Sequence, residues 1–352
     1  MTRSNARGRG MQPQRPSFKG IGRAIRYLTH YKGQALLPYL FLIIATLAQL
    51  AVPSMIRAII DAVTSGYIAD QVRQALDKIP AQYMSAALPK ILEAMKYPAT
   101  LTVDQLKVQL EASVTNAPHL LVNALIAILI FAVLRGTFAF LQAFWAEKNS
   151  QAVAYDLRND LYAKIQKLSF SYHDKNQTGQ LMIRATDDVE KVRLFIGQGL
   201  LQFIGAVILL VGTIILLFSS NVSLAWWSMP ILPIALVVFL IFGSVSQPMF
   251  IKVQQKLSAL NTVLQENLAG IKVIKAFTRE KQQQTKFRTA ADATMDQAIT
   301  VSRLFTFMFP LIFLIANLGQ ATILYVGGKE IITGALTLGE WQEFSLYLLY
   351  LF

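Results

Sequence analysis

Charge-free apolar runs, each about as long as a membrane crossing, alternate along this chain with basic stretches rich in helix formers. A bilayer core is roughly 30 Å thick, and about 20 helical residues at ~1.5 Å each cross it. Gly33 to Ile56 forms one such run between Lys32 and Arg57, and Leu304 to Gly328 forms another between Arg303 and Lys329. Leu194 to Ile251 holds no Asp, Glu, Lys, Arg or His over 58 residues. That is too long for one crossing and suits two, with Ser219, Ser220 and Asn221 marking the hairpin. Ala117 to Ala146 reads as a further span, flawed by His119 near its start and Arg135 inside it. Trp341 to Phe352 begins as an amphipathic helix and turns apolar, but nine uncharged residues from Phe344 are too few to cross. The expectation is a sixth span cut short, so that spans lie near 33–56, 117–146, 194–218, 224–247, 304–328 and, incomplete, 341–352.

Composition agrees with this pattern. Hydrophobic residues make up 54% and charged residues 15%, against about 25% charged in soluble domains, which excludes a water-soluble globule. Disorder would need low hydrophobicity with high charge, and a disulfide-built domain would need cysteines, of which there are none. The net charge of +13 gains meaning from its location. Residues 1–32 carry eight Lys/Arg and no acid, 147–193 carry eight and 252–303 carry nine. The opposite side carries five in 58–116 and then Lys329, so the basic excess predicts a cytoplasmic N-terminus. The apolar run after the basic start is too long for a signal-peptide core, and no small-residue cleavage site succeeds it.

Residues 1–32 form a basic cytoplasmic N-terminus in this reading. Within it, Phe18, Ile21, Ile25 and Leu28 recur at helical spacing, with Lys19, Arg23 and Arg26 elsewhere around the helix. This suits a short helix on the inner leaflet, near anionic headgroups; a basic tail without fixed structure is the alternative. The outer segment 58–116 is expected to be an extracellular insertion of short amphipathic helices, such as Leu101 to Ala112. Ser65, Gly66, Pro80, Pro89 and Pro98 would punctuate it. It would serve as a helical cap, or else as a substrate gate or partner site.

The two inner segments are not floppy loops. Glu147 to Thr178 contains no Gly or Pro, and Lys252 to Arg303 contains only Gly270. Wholly helical, Glu147 to Asp174 would reach about 42 Å beyond the membrane. Spans continuing as long cytoplasmic arms that turn sharply and return are the simplest architecture. At the first turn, Asp174 to Gly179 is turn chemistry, and Thr178 can cap the next helix. At the second, Gly270 permits a break, and Ile271, Ile274 and Phe277 form an apolar stripe beside Lys272, Lys275 and Arg279. An apolar face on a solvated arm points to a partner.

Both turns resemble the intracellular loops of ABC exporters of the six-helix, domain-swapped kind. Phe170, Tyr172, Thr178-Gly179, Arg184 and Asp187-Asp188-Val189-Glu190 resemble the family's first loop. Glu266, Gly270-Ile271, Val273-Ile274-Lys275-Ala276-Phe277 and Arg279-Glu280 resemble the second. The resemblance covers the chain from about Phe18 to Phe352, with 58–116 as a departure. It implies an all-α membrane protein, the transmembrane domain of a type-1 ABC exporter of the multidrug or lipid kind, with long cytoplasmic helical arms. It also implies transverse coupling helices at Ser171 to Gln177 and Glu266 to Phe277 that dock on nucleotide-binding domains. Tyr172, His173, Asp174, Thr178, Gly179, Glu266, Gly270, Ile271, Ile274, Phe277 and Arg279 would make that contact. Implied partners are a second transmembrane half, identical or related, the nucleotide-binding domains and the lipid bilayer.

No cofactor is expected on this chain, because no glycine-rich G-x-x-x-x-G-K-[ST] loop is present in it. Gly327-Gly328-Lys329-Glu330 is the nearest approach and lacks both the leading glycine and the Ser/Thr. ATP and Mg²⁺ would bind a nucleotide-binding domain expected after residue 352 or on a separate subunit. His30, His119 and His173 lie far apart in sequence and on different sides, so no metal site is expected. Arg135 is the one ionisable group clearly within a span. It either faces a translocation cavity, to meet an anionic substrate, or pairs with a polar group between helices. Gln202, Asn317 and Gln320 are further cavity candidates, with inter-helix hydrogen bonding as the competing role; Asn317 and Gln320 share a face. An ATP-independent secondary transporter or channel is the runner-up, but the five complete spans contain no Asp or Glu for ion coupling. Nucleic acid is not an expected partner, since topology accounts for the charge and no aromatic-basic platform is present.

Overall fold

The computed structural model describes Gly22, residues 26–94, Pro98, and residues 100–175 and 178–352. Among these residues there is no strand. Five helices are long and apolar enough to cross a membrane: Lys32–Lys78, Val103–Gln166, Leu181–Ser220, Val222–Ala269 and Glu280–Ile332. The chain divides into two compact units, Met1–Ile215 and Leu216–Phe352.

In the first unit, helix α1 (Lys32–Lys78) pairs along its length with α3 (Val103–Gln166). Residue numbers fall along one helix as they rise along the other. Asp77 meets Lys107, Gly66 meets Ala117, Phe41 meets Phe138 and Gln34 meets Asn149, so the pair is antiparallel. At ~1.5 Å per residue, 47 and 64 residues make rods of about 70 and 96 Å, far longer than a bilayer core needs. The excess extends beyond the spans.

The stretch 58–116, expected to be an insertion of punctuated short helices, is helical in three pieces, one short helix between the extended ends of the two long rods. α1 runs on to Lys78, α2 (Ala81–Ala94) comes next, and α3 has begun by Val103. Ser65, Gly66 and Pro89 lie inside helices, and only Pro80 and Pro98 stand between them. Packing overrides local propensity here. Leu76, Leu92, Leu106 and Leu110 form a buried cluster with Ala69. Each buried leucine contributes about 1.5–3 kcal/mol, which together outweighs ~3 kcal/mol for an interior proline and ~1 kcal/mol for a glycine. Gly66 also has a positive role, because a Cβ there would lie 2.8 Å from that of Ala117. Thr102 opens α3 with a capping box: the Gln105 N–H donates to Thr102 Oγ1 at 3.4 Å, and the Thr102 N–H donates to Gln105 Oε1 at 3.0 Å.

Of the interfacial-helix positions, Phe18, Lys19, Ile21, Arg23 and Ile25 lie outside the described residues. Arg26 to Thr29 are helical, and Leu28 is buried against Ala35, Val153 and Ile196. Tyr27 Oη donates to Asp160 at 2.8 Å and Tyr31 Oη to Asp156 at 2.6 Å, tying this segment to the C-terminal arm of α3. The hydrogen bond to Asp160 raises the Tyr27 phenol, while burial and then the Asp156 bond push Tyr31 up to about 12.

The return rod begins at α4 (Phe170–Lys175) and α5 (Thr178–Ile183), then continues through α6 (Val189–Leu194) to α7 (Leu200–Ser220). π-turns at Arg184–Asp188 and Phe195–Gly199 join these segments.

In the second unit, Asn221 caps α8 (Val222–Ser228), with its Oδ1 accepting the Leu224 N–H at 3.0 Å. Its Nδ2 donates to Glu330 at 2.8 Å. Helices α9 (Ile231–Ala269) and α11 (Glu280–Ile332) pack together. Phe305 stands between Phe242 and Phe250, with ring centroids 4.9 and 5.8 Å away. Between α9 and α11 lies α10 (Ile271–Ala276), and α12 (Leu338–Leu351) comes after the turn at Gly334, whose φ is 70°. α12 begins three residues before Trp341 because Thr337 and Glu340 form a capping box, at 2.8 and 3.0 Å.

Candidate functional site

The first tip turns at the end of α3. Ser169 accepts the backbone N–H groups of Tyr172 at 2.9 Å and His173 at 3.3 Å, which starts α4. His173 folds back so that Nε2 lies 3.2 Å from the Ile165 carbonyl oxygen, and Arg184 Nη1 donates to Tyr172 Oη at 3.3 Å. Side chains thus hold this tip to the arms on both sides. Phe170 is 89% exposed, and His173, Asp174 and Gly179 are exposed as well. Thr178 opens α5. The short helix at this tip is Phe170–Lys175; Asn176 and Gln177, at the end of the expected Ser171 to Gln177 helix, lie outside the described residues.

The second tip is made by backbone. α9 ends where the Gly270 N–H donates to the Glu266 carbonyl at 2.9 Å, and α10 begins as the Ile274 N–H donates to the Gly270 carbonyl at 3.0 Å. It closes with Thr278 N–H on the Lys275 carbonyl at 3.2 Å and Arg279 N–H on the Ile274 carbonyl at 3.0 Å. This paired pattern is a Schellman cap, with Thr278 in the left-handed position usually held by glycine, at φ 50°. The short helix at this tip is six residues long and not the twelve of Glu266 to Phe277, because Glu266 belongs to the last turn of the arm.

The apolar face also differs from the expected stripe. Ile271 and Phe277 are exposed, Phe277 by 71%, whereas Ile274 is half-buried. Leu268 and Val273 complete the exposed patch. The stripe assumes one helix running through Phe277. Stops at both Gly270 and Thr278 bring Val273 and Leu268 into the patch instead. Arg279 Nη1 donates to Gln282 at 3.4 Å, and Lys275 pairs with Glu280 at 3.1 Å. The backbone N–H at the start of α11, and after it Lys275, hold the Glu280 carboxyl below the usual range.

The cavity candidates are not brought together as a set within either unit. In the first unit, Arg135 and Gln202 are both exposed. In the second, Asn317 Nδ2 turns back to the Phe313 carbonyl at 2.7 Å, while Gln320 Nε2 donates to Ser345 Oγ on α12 at 2.9 Å. The shared face of Asn317 and Gln320 therefore does different work at its two positions. Gln320, with Trp341 Nε1 donating to the Ile323 carbonyl at 3.3 Å, fastens α12 to α11.

Gly327 and Gly328 lie inside α11, where backbone N–H groups are committed to helix bonds. Trp341 packs against Gly327, and a Cβ there would meet it at 2.7 Å. This segment cannot wrap a phosphate.

Between tip and membrane, the return rod carries a charge cluster absent from the sequence-based expectations. Arg193 bonds Glu190 in two places and Glu147 at 2.6 Å, and its guanidinium holds the Glu190 carboxyl below the usual range. Its signal in the sequence is a pair of basic residues three apart from acids, Asp188 to Lys191 and Glu190 to Arg193, on a helix face.

Residues 36–352 match the family model described as the ABC transporter transmembrane region. Among curated proteins, the chain is 33% identical over 212 residues to the uncharacterized ABC transporter ATP-binding protein YknU of Bacillus subtilis, covering 60% of this chain and 36% of that one. It is 27% identical over 227 residues to the ATP-dependent lipid A-core flippase of Syntrophus aciditrophicus, covering 64% of this chain and 38% of the flippase. It is also 27% identical over 234 residues to the putative multidrug export ATP-binding/permease protein SAOUHSC_02003 of Staphylococcus aureus, covering 66% and 40%. The chain thus spans little more than a third of the length of the curated relatives it matches. Five helices long and apolar enough to cross a membrane and two exposed turns on long arms suit a membrane-embedded transport domain, and over residues 36–352 this integral membrane chain belongs to the ABC transporter transmembrane region family.

Proposed function

We propose that this chain is the membrane-spanning half of an ATP-driven exporter, and that its two tips carry the work of ATP hydrolysis into the spans. The supporting observation is the second tip: a six-residue helix carrying exposed Ile271 and Val273, flanked by exposed Leu268 at the end of α9 and Phe277 at its own C-cap, lies at the end of an arm. Solvated apolar faces of this kind are covered by partners. The partners in this reading are nucleotide-binding domains, which hold the ATP and Mg²⁺ whose cradle this chain does not contain. A second transmembrane half, identical or related, would cover the apolar flanks of the spans. Val103–Gln166 has only 6% of its most apolar window buried, which leaves it to lipid and to that half. The basic excess of segments 1–32, 147–193 and 252–303 supports a plasma (inner) membrane protein with a cytoplasmic N-terminus.

The test uses the complete transporter with its ATPase domains, in lipid nanodiscs. Replacing Ile271 and Phe277 together by Asp should leave the ATPase domains folded and uncouple the change of facing from nucleotide, read as the distance between labels on the outer ends of the spans. Nucleotide-driven opening that survives unchanged in this variant would refute the docking role. Unchanged opening without any ATPase domain would favour an ATP-independent transporter instead.

A further inference from the structure

Two helical irregularities and one charge cluster coincide on the rod that returns from the first tip to the membrane. A π-turn carries one residue more than the α-turn it replaces. Losing or shifting it rotates the helix beyond it by about 100° without breaking the rod. Two such turns, Arg184–Asp188 and Phe195–Gly199, bracket the six-residue segment Val189–Leu194.

That bracketed segment is fastened to α3. Arg193 Nη1 donates to Glu147 Oε1 at 2.6 Å, and Nε and Nη2 donate to Glu190 at 3.0 and 2.6 Å. Arg158 stands 3.7 Å from Glu190 on the far side. The Arg193 side chain is only 13% exposed while its partners Glu147 and Glu190 are 48% and 42% exposed, so the fork is screened on its acidic side and Arg193 itself is held between the helices. Just beyond it, Ile196 is buried with Val153, and a Cβ at Gly197 would come within 2.9 Å of the buried Ser150 Oγ. The rod is thus tightly held at its middle, with an irregular turn at each end of that middle.

We propose that Arg193 is a positioning residue which locks Val189–Leu194 to the first arm, so that the two π-turns act as register joints passing a displacement of the first tip into the span beyond Leu200. This rests on the reading of the tip as the docking point of an ATPase domain.

The chain contains no cysteine, so single cysteines introduced into it can be labelled selectively. Spin labels at Met182, before the first π-turn, and Phe203, beyond the second, both take exposed positions and bracket the two joints. Their distance would be tracked in the complete transporter in nanodiscs, nucleotide-free and with ATP plus vanadate. The parent should show two distance populations whose ratio nucleotide shifts. Arg193→Gln should weaken that shift by about 2- to 30-fold, the range carried by single members of coupling networks.

Arg193→Lys keeps the charge without the planar fork and should fall between. Glu147→Gln leaves the Arg193–Glu190 contact in place, guards against simple misfolding and should move the ratio in the same direction. The double variant should be no worse than the stronger single one. A responsive parent with variants that respond equally, or whose effects simply add, would overturn the role of Arg193 alone. A parent that ignores nucleotide would overturn the docking reading and this inference with it.

Discussion

The two tips solve the same geometric problem, a sharp reversal between long helices, by different means. At the first, side chains make the connection: His173 reaches back to Ile165 and Arg184 holds Tyr172. At the second, main chain does it, through bonds from Gly270, Thr278 and Arg279 to carbonyls one turn back. There the polar side chains pair with one another, Lys275 with Glu280 and Arg279 with Gln282, and the apolar Leu268, Ile271, Val273 and Phe277 are left exposed. The lesson is that the second tip is built as a surface and the first as a joint.

The largest test of that contrast replaces one exposed aromatic on each tip. Phe277→Asp should cost at least about 2 kcal/mol of docking to an ATPase domain, because Phe277 sits in a patch with Leu268, Ile271 and Val273. Phe170→Asp should cost less, since the neighbours of Phe170 on its short helix are the polar Ser171, His173 and Asp174. Comparable losses in a pull-down of the ATPase domain would erase the distinction. Next, Arg184→Ala should loosen the first tip by about 0.5–1.5 kcal/mol, the net worth of one hydrogen bond. Amide exchange over Phe170–Lys175 should then quicken severalfold while Ile271–Ala276 is unaffected.

A smaller effect, of opposite sign, belongs to the second tip. Thr278 holds φ 50°, a conformation costing a non-glycine residue about 1–2 kcal/mol, while glycine would give back roughly 0.5–1 kcal/mol in chain entropy. Thr278→Gly should therefore slow amide exchange in α10 about two- to fivefold, a net gain near 0.5–1 kcal/mol. Faster exchange would show that Thr278 makes a contact worth more than its strain. The smallest effect is pH dependence. The Glu280 carboxyl lies below its ordinary value, so its contribution is present above about pH 4.5 and is lost as pH falls through the depressed value. The second tip should loosen only in that acid range, and Glu280→Gln should remove the dependence in exchange measured from pH 3 to 7.

Much of this architecture is legible in the order of residues. Charge-free runs of Gly33 to Ile56 and Leu304 to Gly328 can only be satisfied in a membrane or a core, and the Lys/Arg bias points one way throughout. The tips are legible because a break inside a Gly- and Pro-poor helical stretch is conspicuous. Arg193 is hidden, since nothing local says that its guanidinium will meet Glu147, 46 residues away. The capping boxes at Thr102 and Thr337 are written in local sequence too, and they place the starts of α3 and α12 more closely than the limits of the apolar runs do.

By itself, then, the sequence determined which runs are long and apolar enough to cross, how the basic residues gather in segments 1–32, 147–193 and 252–303, and in which stretches the arms reverse. Those depend on local periodicity and on the transfer of whole segments between water and lipid, which are properties of short windows. Only the tertiary structure decided that 58–116 continues the helices, because the burial of Leu76, Leu92, Leu106 and Leu110 against one another outweighs Gly66 and Pro89. It likewise decided that Gln320 binds Ser345 while Asn317 does not, and that Ile274 is half-buried while Val273 is exposed. Each of these is settled by contacts between residues distant in sequence or by where a helix stops within one turn, and no periodicity along the chain records either.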